Sequence, residues 1–381
     1  MYTTSQMKPA HFPPRRASRA RHLLAPTILA PVAAALLTVA GCTRSAQPAL
    51  SPARSPFIGV QQNSGTTALL QAVSVVSSQV VWVSGHQGTY ARTIDGGATW
   101  HAAVVPGADS LQFRDVYAVD AQTAFLMSAG AGDLSRVYKT TDAGATWSLQ
   151  FTNHEPSAFF DCMDFWDADH GIAMSDEVNG QVPVIMTDDG GQTWKPASAG
   201  VLPAALDGEG GFAASGTCLV TRPSGHAWIG TGNTSAARVF RTTDGGRTWE
   251  VAATPLPSGE GTGILSMAFR DNLHGVIMGG PISDPASRSN NVALTADGGR
   301  TWKLAGRPTF TGAIYGGTYV PGAATPTIVA VGPNGASTSP DDGHSWVPID
   351  TAAYWAVGFA SPTAGWAVGP RGRITKLTPP R

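Results

Sequence analysis

Residues 242–249 read TTDGGRTW, and close variants of this phrase recur along the chain. The pattern Ser/Thr-x-Asp-x-Gly-x-x-Trp occurs six times: Thr93-Asp95-Gly97-Trp100, Thr140-Asp142-Gly144-Trp147, Thr187-Asp189-Gly191-Trp194, Thr242-Asp244-Gly246-Trp249, Thr295-Asp297-Gly299-Trp302 and Ser339-Asp341-Gly343-Trp346. Successive aspartates stand 47, 47, 55, 53 and 44 residues apart, a period that signals a repeat architecture. Each phrase has the chemistry of a tight hairpin turn. Carboxylate and hydroxyl accept hydrogen bonds from amides the turn leaves unpaired, glycine takes a positive φ, and tryptophan packs its ring inward. An aspartate present in every repeat cannot be a single catalytic acid. Asp95, Asp142, Asp189, Asp244, Asp297 and Asp341 are therefore read as structural.

In one unit, FRDVYAVD (113–120), TAFLMSAG (123–130), RVYKTTD (136–142) and TWSLQFTN (146–153) read as four successive strands, A to D, with the phrase as the C–D turn. Four strands per ~50 residues, repeated, make a propeller blade. After the sixth phrase, YWAVGFA (354–360), GWAVG (365–369) and RITKL (373–377) supply three strands and lack a fourth, which FIGVQQN (57–63) provides from the other end. Closing the ring in this way removes the exposed edges of an open blade. The reading is an all-β, seven-bladed β-propeller over residues 56–381, with six- and eight-bladed rings as the alternatives.

Composition agrees: of 381 residues, 45 are Gly, 28 Pro and 11 Trp, and only 13% are charged, a turn-rich β profile. A formal net charge of -1 offers no electrostatic reason to propose a nucleic-acid partner. The first residues differ. Arg15, Arg16, Arg19 and Arg21 precede the apolar stretch LLAPTILAPVAAALLTVAGC (23–42), which has the form of an export signal. Its end, Val39-Ala40-Gly41-Cys42, resembles a bacterial lipobox, so residues 1–41 are expected to be a lipoprotein-type signal peptide and Cys42 the lipidation site. An ordinary secretory signal beside an unrelated cysteine is the alternative. Residues 42–55 then form a Pro/Ser/Ala-rich tether, and the mature protein is expected to be a monomer, exported and membrane-anchored through Cys42, facing the periplasm or cell exterior.

If the repeated phrases are C–D turns, they share a face with the A–B turns, and the D–A and B–C loops gather on the other. Ligand sites of propellers usually lie on that other face, around the central channel. Its B–C loops carry Asp133 and Arg136, Asp176 and Glu177, Asn233 and Arg238, Asp284 and Arg288, and Arg371 and Arg373. The D–A segment VLPAALDGEGGFAASGTC (201–218) offers Glu209 and Ser215, and a second offers Glu260. Arg114, Asp161, Tyr315 and Tyr354 stand at the channel-side start of A strands. Arg136, Arg238 and Arg373 take equivalent places at the start of strand C, and converging arginines suit carboxylates or phosphates; pairing of each arginine within its own loop is the alternative. Cys162 and Cys218 align on neighbouring A strands. Because adjacent blades splay, they are expected to lie beyond the ~7 Å Cα limit for a disulfide and to be two buried thiols. No Cys/His ligand spacing, P-loop or GxGxxG opening a helix is present, so neither metal nor cofactor is expected.

The six phrases are similar to the Asp box of BNR repeats, known from sialidases and related propellers. With the segments FRDVYAVD, SRVYKTTDAGATW, FFDCMDFWD, FAASGTC and ARVFRTTDGGRTW, they resemble the photosystem II stability/assembly factor family and its non-photosynthetic bacterial relatives over residues 56–381, some of which are described as oxidoreductases. The resemblance implies a seven-bladed ring and a binding role for Arg136 and Arg238, since the photosynthetic members bind an assembling membrane protein through an arginine-bearing patch. A photosystem partner is not implied. The leading reading is thus an extracytoplasmic binding or assembly module for a protein or glycan, not an enzyme. The alternative is a sialidase-like glycoside hydrolase, which needs three arginines on the substrate carboxylate, a Tyr/Glu nucleophilic pair and an acid near the leaving group. Arg114, Arg136, Arg238, Tyr315, Glu209 and Asp161 supply the types, but the FRIP-type opening motif is absent. An oxidoreductase has weaker support still, for want of any nucleotide or flavin fingerprint.

Overall fold

A computed structural model describes residues 55–380. The export segment, Cys42 and all of the tether but Ser55 lie outside the described residues. Seven four-stranded antiparallel sheets follow one another along the chain. Blade 1 is Leu70–Val75, Val81–Gly85, Thr89–Thr93 and His101–Val104, from the inner strand A outward to strand D. The A strands of blades 2 to 6 are Phe113–Ala118, Phe160–Phe165, Leu219–Arg222, Thr262–Phe269 and Gly316–Tyr319. Blade 7 takes Ala356–Ser361, Ala364–Gly369 and Arg373–Thr378 from the end of the chain and Ile58–Gln62 from its start, with Ile58 opposite Thr378 and Gln62 opposite Ile374. Gln62 fastens the closure, its Oε1 accepting the indole N–H of Trp100 at 3.0 Å and of Trp366 at 3.1 Å.

Strand B is buried along its length in blades 1, 2 and 3, because each sheet has a neighbour on both faces and reads as a continuous apolar run. The apolar core consequently lies between blades. Trp82 and Tyr90 of blade 1, for example, pack with Phe113, Leu126 and Tyr138 of blade 2. Inner strands are also tied directly around the axis. Ser74 Oγ accepts the Ala118 amide at 3.0 Å, Asp115 that of Met163 at 2.7 Å, Asp164 that of Thr221 at 2.7 Å, and Ser266 Oγ that of Gly317 at 3.0 Å.

All six repeated phrases form one hydrogen-bond motif. The Asp Oδ1 accepts the hydroxyl two residues before it at 2.7–2.9 Å and the amide four residues after it at 2.8–3.0 Å. Its Oδ2 accepts the hydroxyl of that later residue at 2.5–2.7 Å. The later residue is Thr99, Thr146, Thr193, Thr248, Thr301 or Ser345, a hydroxyl position that the eight-letter pattern leaves open. The glycine before it has φ between 74° and 90°, where a side chain would be strained.

One expectation is corrected. Cys162 and Cys218 are bonded, with Cα atoms 5.9 Å apart. Blades splay at the rim but converge at the axis; Cys162 lies on the inner strand of blade 3 and Cys218 directly precedes that of blade 4, where neighbouring positions come within disulfide reach. The bond fastens blade 3 to blade 4.

Candidate binding site at the channel mouth

Four inner strands carry a register shift at the same place. The irregularities fall between Leu70 and Ala72, Phe113 and Asp115, Phe160 and Cys162, and Ile264 and Ser266. The residue before each shift is an apolar anchor, 0–3% exposed. The extra residues are Gln71, Arg114, Asp161 and Leu265. A β-bulge re-aims the side chain of its extra residue, and here three of the four line a cavity of about 230 Å³ at the loop-face mouth of the channel, the exception being Asp161. His86 and Ile282, which follow strand B of blades 1 and 5, join them, as do Phe212, Tyr315 and Trp355. Tyr315 and Trp355 meet edge to face, with centroids 5.0 Å apart, and burial pushes the Tyr315 phenol above its ordinary value.

Asp161 lies beneath the mouth, 2% exposed. Asp161 Oδ2 and Asp176 Oδ1 are both buried without a donor, and burial together with the charge of Asp176 pushes the Asp161 carboxyl well above the usual range. Burial raises Asp176 to about 6. Two carboxyls this close cannot both ionise in a buried place, so the pair holds one proton between them. The backbone of Gly210 and Gly211 closes over the two: a Cβ on Gly210 would stand 2.1 Å from Asp176 Oδ1, and one on Gly211 would stand 2.9 Å from Asp161 Oδ2. The long D–A loop into blade 4 can cover the pair only because both residues are glycine.

Arg114 extends over this pair toward the cavity. Its Nε and Nη2 donate to Gln112 Oε1 at 3.1 and 2.6 Å, and Nη1 reaches the Ala213 carbonyl at 3.5 Å. His86 is held below its usual pKa by burial and then by Arg114, so its ring is neutral near pH 7.

The structure brings together Arg114, Asp161, Asp176 and Tyr315 of the residues singled out from sequence, and it engages Glu209, Arg238, Arg136, Arg373 and Ser215 in other contacts. Glu209 is fully buried. Its Oε1 accepts Thr231 Oγ1 at 2.6 Å and Arg238 Nε at 2.9 Å; Oε2 accepts the Leu206 amide at 2.9 Å and Arg238 Nη2. That bidentate pair pins the D–A loop to strand C, and the Arg238 guanidinium stacks over Phe240 at 5.0 Å. Arg136 is held by Asp133, Nε to the carbonyl at 2.7 Å, and Arg373 lies over the Tyr354 ring at 5.8 Å. Ser215 is buried, its hydroxyl in a chain with Thr217 and Ser266 at 2.7 and 2.8 Å. Tyr354, expected at the channel, is instead buried with its hydroxyl on Asp350 at 2.9 Å, and its neighbour Trp355 takes the mouth position.

Gln71, His86, Phe212, Leu265 and Trp355 escaped the reading of the sequence. A signal was present for two of them. Leu70-Gln71, Phe113-Arg114, Phe160-Asp161 and Ile264-Leu265 each place a large apolar residue ahead of the one that is re-aimed, and aligning A-strand starts on that anchor would have found Gln71 and Leu265. Among the described residues no group of three or more His, Cys, Asp or Glu is placed to hold a metal ion.

Ring, box turns and mouth define the chain as a seven-bladed Asp-box propeller with an axial cavity of its own. No family model and no curated protein matches it. Solved structures do. One described as YCF48 bound to D1 peptide superposes with a TM-score of 0.61 at 17% identity, over 86% of this chain and 96% of that one. YCF48 from Cyanidioschyzon merolae gives 0.59 at 14%, over 84% and 99%, and an ancestral GH74 enzyme 0.60 at 14%, over 84% of this chain and 46% of that one. The resemblance to photosystem II assembly-factor propellers thus holds as a likeness of fold.

Proposed function

We propose that the chain is a binding module whose channel mouth receives a segment of a protein partner, in the manner of an assembly factor. The observation that carries the reading is the repeated bulge, which takes one residue from each of several inner strands out of the ladder and turns it toward one cavity. Ladder irregularity repeated at one site costs pairing in each blade and is retained where a side chain must be re-aimed. A relative in fold is described as bound to a peptide, which supports a peptide segment over a glycan. Hydrolysis fits the geometry poorly. Glycosidase carboxyls flank the scissile bond from either side, whereas Asp161 and Asp176 crowd each other in one buried place under Gly210 and Gly211, and both oxygens of Glu209 are already engaged.

Export and lipidation at Cys42 belong to the same proposal. They are supported by the Cys162–Cys218 disulfide, which persists in oxidising compartments. A photo-crosslinking residue in place of Trp355, in cells of the native host, should capture a partner, and one in place of Arg247 on the box face should not. Capture from Arg247 alone would overturn the reading. Replacing Cys42 with Ala should move the protein from the membrane to the soluble fraction; wild type already soluble would refute the anchor.

A further inference from the structure

The mouth is divided. Blades 1 and 2 contribute Gln71, His86 and Arg114, while blades 5 to 7 contribute Leu265, Ile282, Tyr315 and Trp355. On the polar side, hydrogen-bonding capacity is left over. Gln71 is 3% exposed, yet among the described residues its Oε1 finds no partner, and neither does the buried Nε2 of His86. Arg114 carries five N–H groups. Gln112 and Ala213 occupy three, so each terminal nitrogen keeps one N–H uncommitted among the described residues. Buried polar groups are normally paired. Groups with capacity to spare around one cavity are arranged to meet a ligand.

Resting on the binding reading above, we infer that the mouth recognises a single carboxylate attached to an apolar or aromatic residue of the partner. The two free N–H groups of Arg114 suit the paired oxygens of a carboxylate. Gln71 can turn its NH₂ toward the same group, and His86 can donate from Nε2. One guanidinium beside a neutral imidazole and a neutral carboxamide matches a monoanion and undercharges a phosphate dianion. The pair beneath keeps one negative charge, and Asp161, the carboxyl whose charge couples to Arg114, is the member that holds the proton. Tyr315 and Trp355 form the opposite wall, where a side chain adjoining the carboxylate packs. About 230 Å³ falls below the ~300–1,000 Å³ of drug-sized sites, which limits the occupant to roughly one residue.

A chain terminus and an acidic side chain offer the same chemistry, and three probes separate them: N-acetyl-L-phenylalanine, its amide, and N-acetyl-Phe-Glu with an amidated terminus. Binding to the whole protein is followed by calorimetry. The free acid, the glutamyl probe or both should bind at least about tenfold more tightly than N-acetyl-L-phenylalaninamide. Preference for the free acid identifies a terminus and preference for the glutamyl probe a side chain. Arg114→Gln should erase the difference. So should Gln71→Glu, which sets a second negative charge against the ligand while keeping the side-chain shape. Circular dichroism confirms that both variants fold. Equal binding of acid and amide, no binding of any probe, or a preference that survives in folded Arg114→Gln overturns the inference. If the Trp355 crosslink persists in that event, the mouth still binds its partner by another chemistry; if it is lost as well, both readings fail.

Discussion

The box turns and the channel mouth both hold aspartates against backbone, and they treat them in opposite ways. At the turns, Asp189 is lowered to about 2, first by the hydroxyl and amide of Thr193, then by the hydroxyl of Thr187. At the mouth, burial and a neighbouring carboxylate push Asp161 well up. A box carboxylate is exposed or half-buried, ionised and saturated with donors. The mouth carboxyl is dry, short of donors and keeps a proton. A group whose capacity is fully used by its own turn has nothing left to offer a ligand, whereas at the mouth Gln71 Oε1 and His86 Nε2 find no partner among the described residues and Arg114 keeps N–H groups to spare. Recurrence marks the scaffold, and unspent hydrogen-bonding capacity marks the candidate site.

The largest test removes the clamp beside the mouth. Replacing Cys162 and Cys218 together by Ser opens a loop with a sequence separation of 56, for which chain entropy gives about 4 kcal/mol of lost stability. Urea unfolding measures it. A loss under about 1 kcal/mol would mean that the inner-strand hydrogen bonds alone hold blades 3 and 4 together. A smaller effect is expected on the other face. Asp244→Ala takes away the acceptor for Thr242 Oγ1, the Arg247 and Thr248 amides and Thr248 Oγ1, for a loss of about 2 kcal/mol. Ligand binding at the mouth should not change; a parallel fall in affinity would break the division between scaffold and site.

The smallest effect concerns pH. The folded pKa values of Asp161 and Asp176 are raised, so their contribution to stability is complete below the unfolded value of 3.8 and is lost as pH rises above it, through about 6 for Asp176. Asp161→Asn mimics the protonated carboxyl, its amide donating permanently to Asp176. The variant should melt with a flatter pH dependence between pH 4 and 8 and gain about 1 kcal/mol at pH 8. Asp115 and Asp164, also raised by burial, keep the slope from vanishing. Box aspartates run the other way: their contribution is present above 3.8 and lost as pH falls, through about 2 for Asp189. A variant with the wild-type slope would show that the pair does not share a proton.

Much of the fold was legible because a repeated turn declares itself locally. Asp, hydroxyl and Gly within eight residues satisfy one another without help from distant chain, so six copies set the blade count, and the orphan strand at 57–63 closed the ring. The candidate site was only half legible. Arg114, Asp161, Asp176 and Tyr315 stood out by residue type and place. Glu209 and Arg238 stood out as well, yet each proved to be the other's partner, 29 residues apart, because a folded loop brings opposite charges into bidentate contact that spacing does not reveal. Gln71, His86 and Trp355 looked ordinary beside them.

By itself the sequence determined what depends on short-range chemistry: the turns, the strands, the number of blades and the face on which function should be sought. Tertiary structure alone decided what depends on distance across the axis. It drew Cys162 and Cys218 within bonding reach, buried Asp161 beside Asp176, and set Gln71, His86 and Arg114 around one cavity. Blades converge at the channel. Residues one blade or more apart in sequence therefore become neighbours there, and that convergence is a property of the closed ring that no single repeat contains.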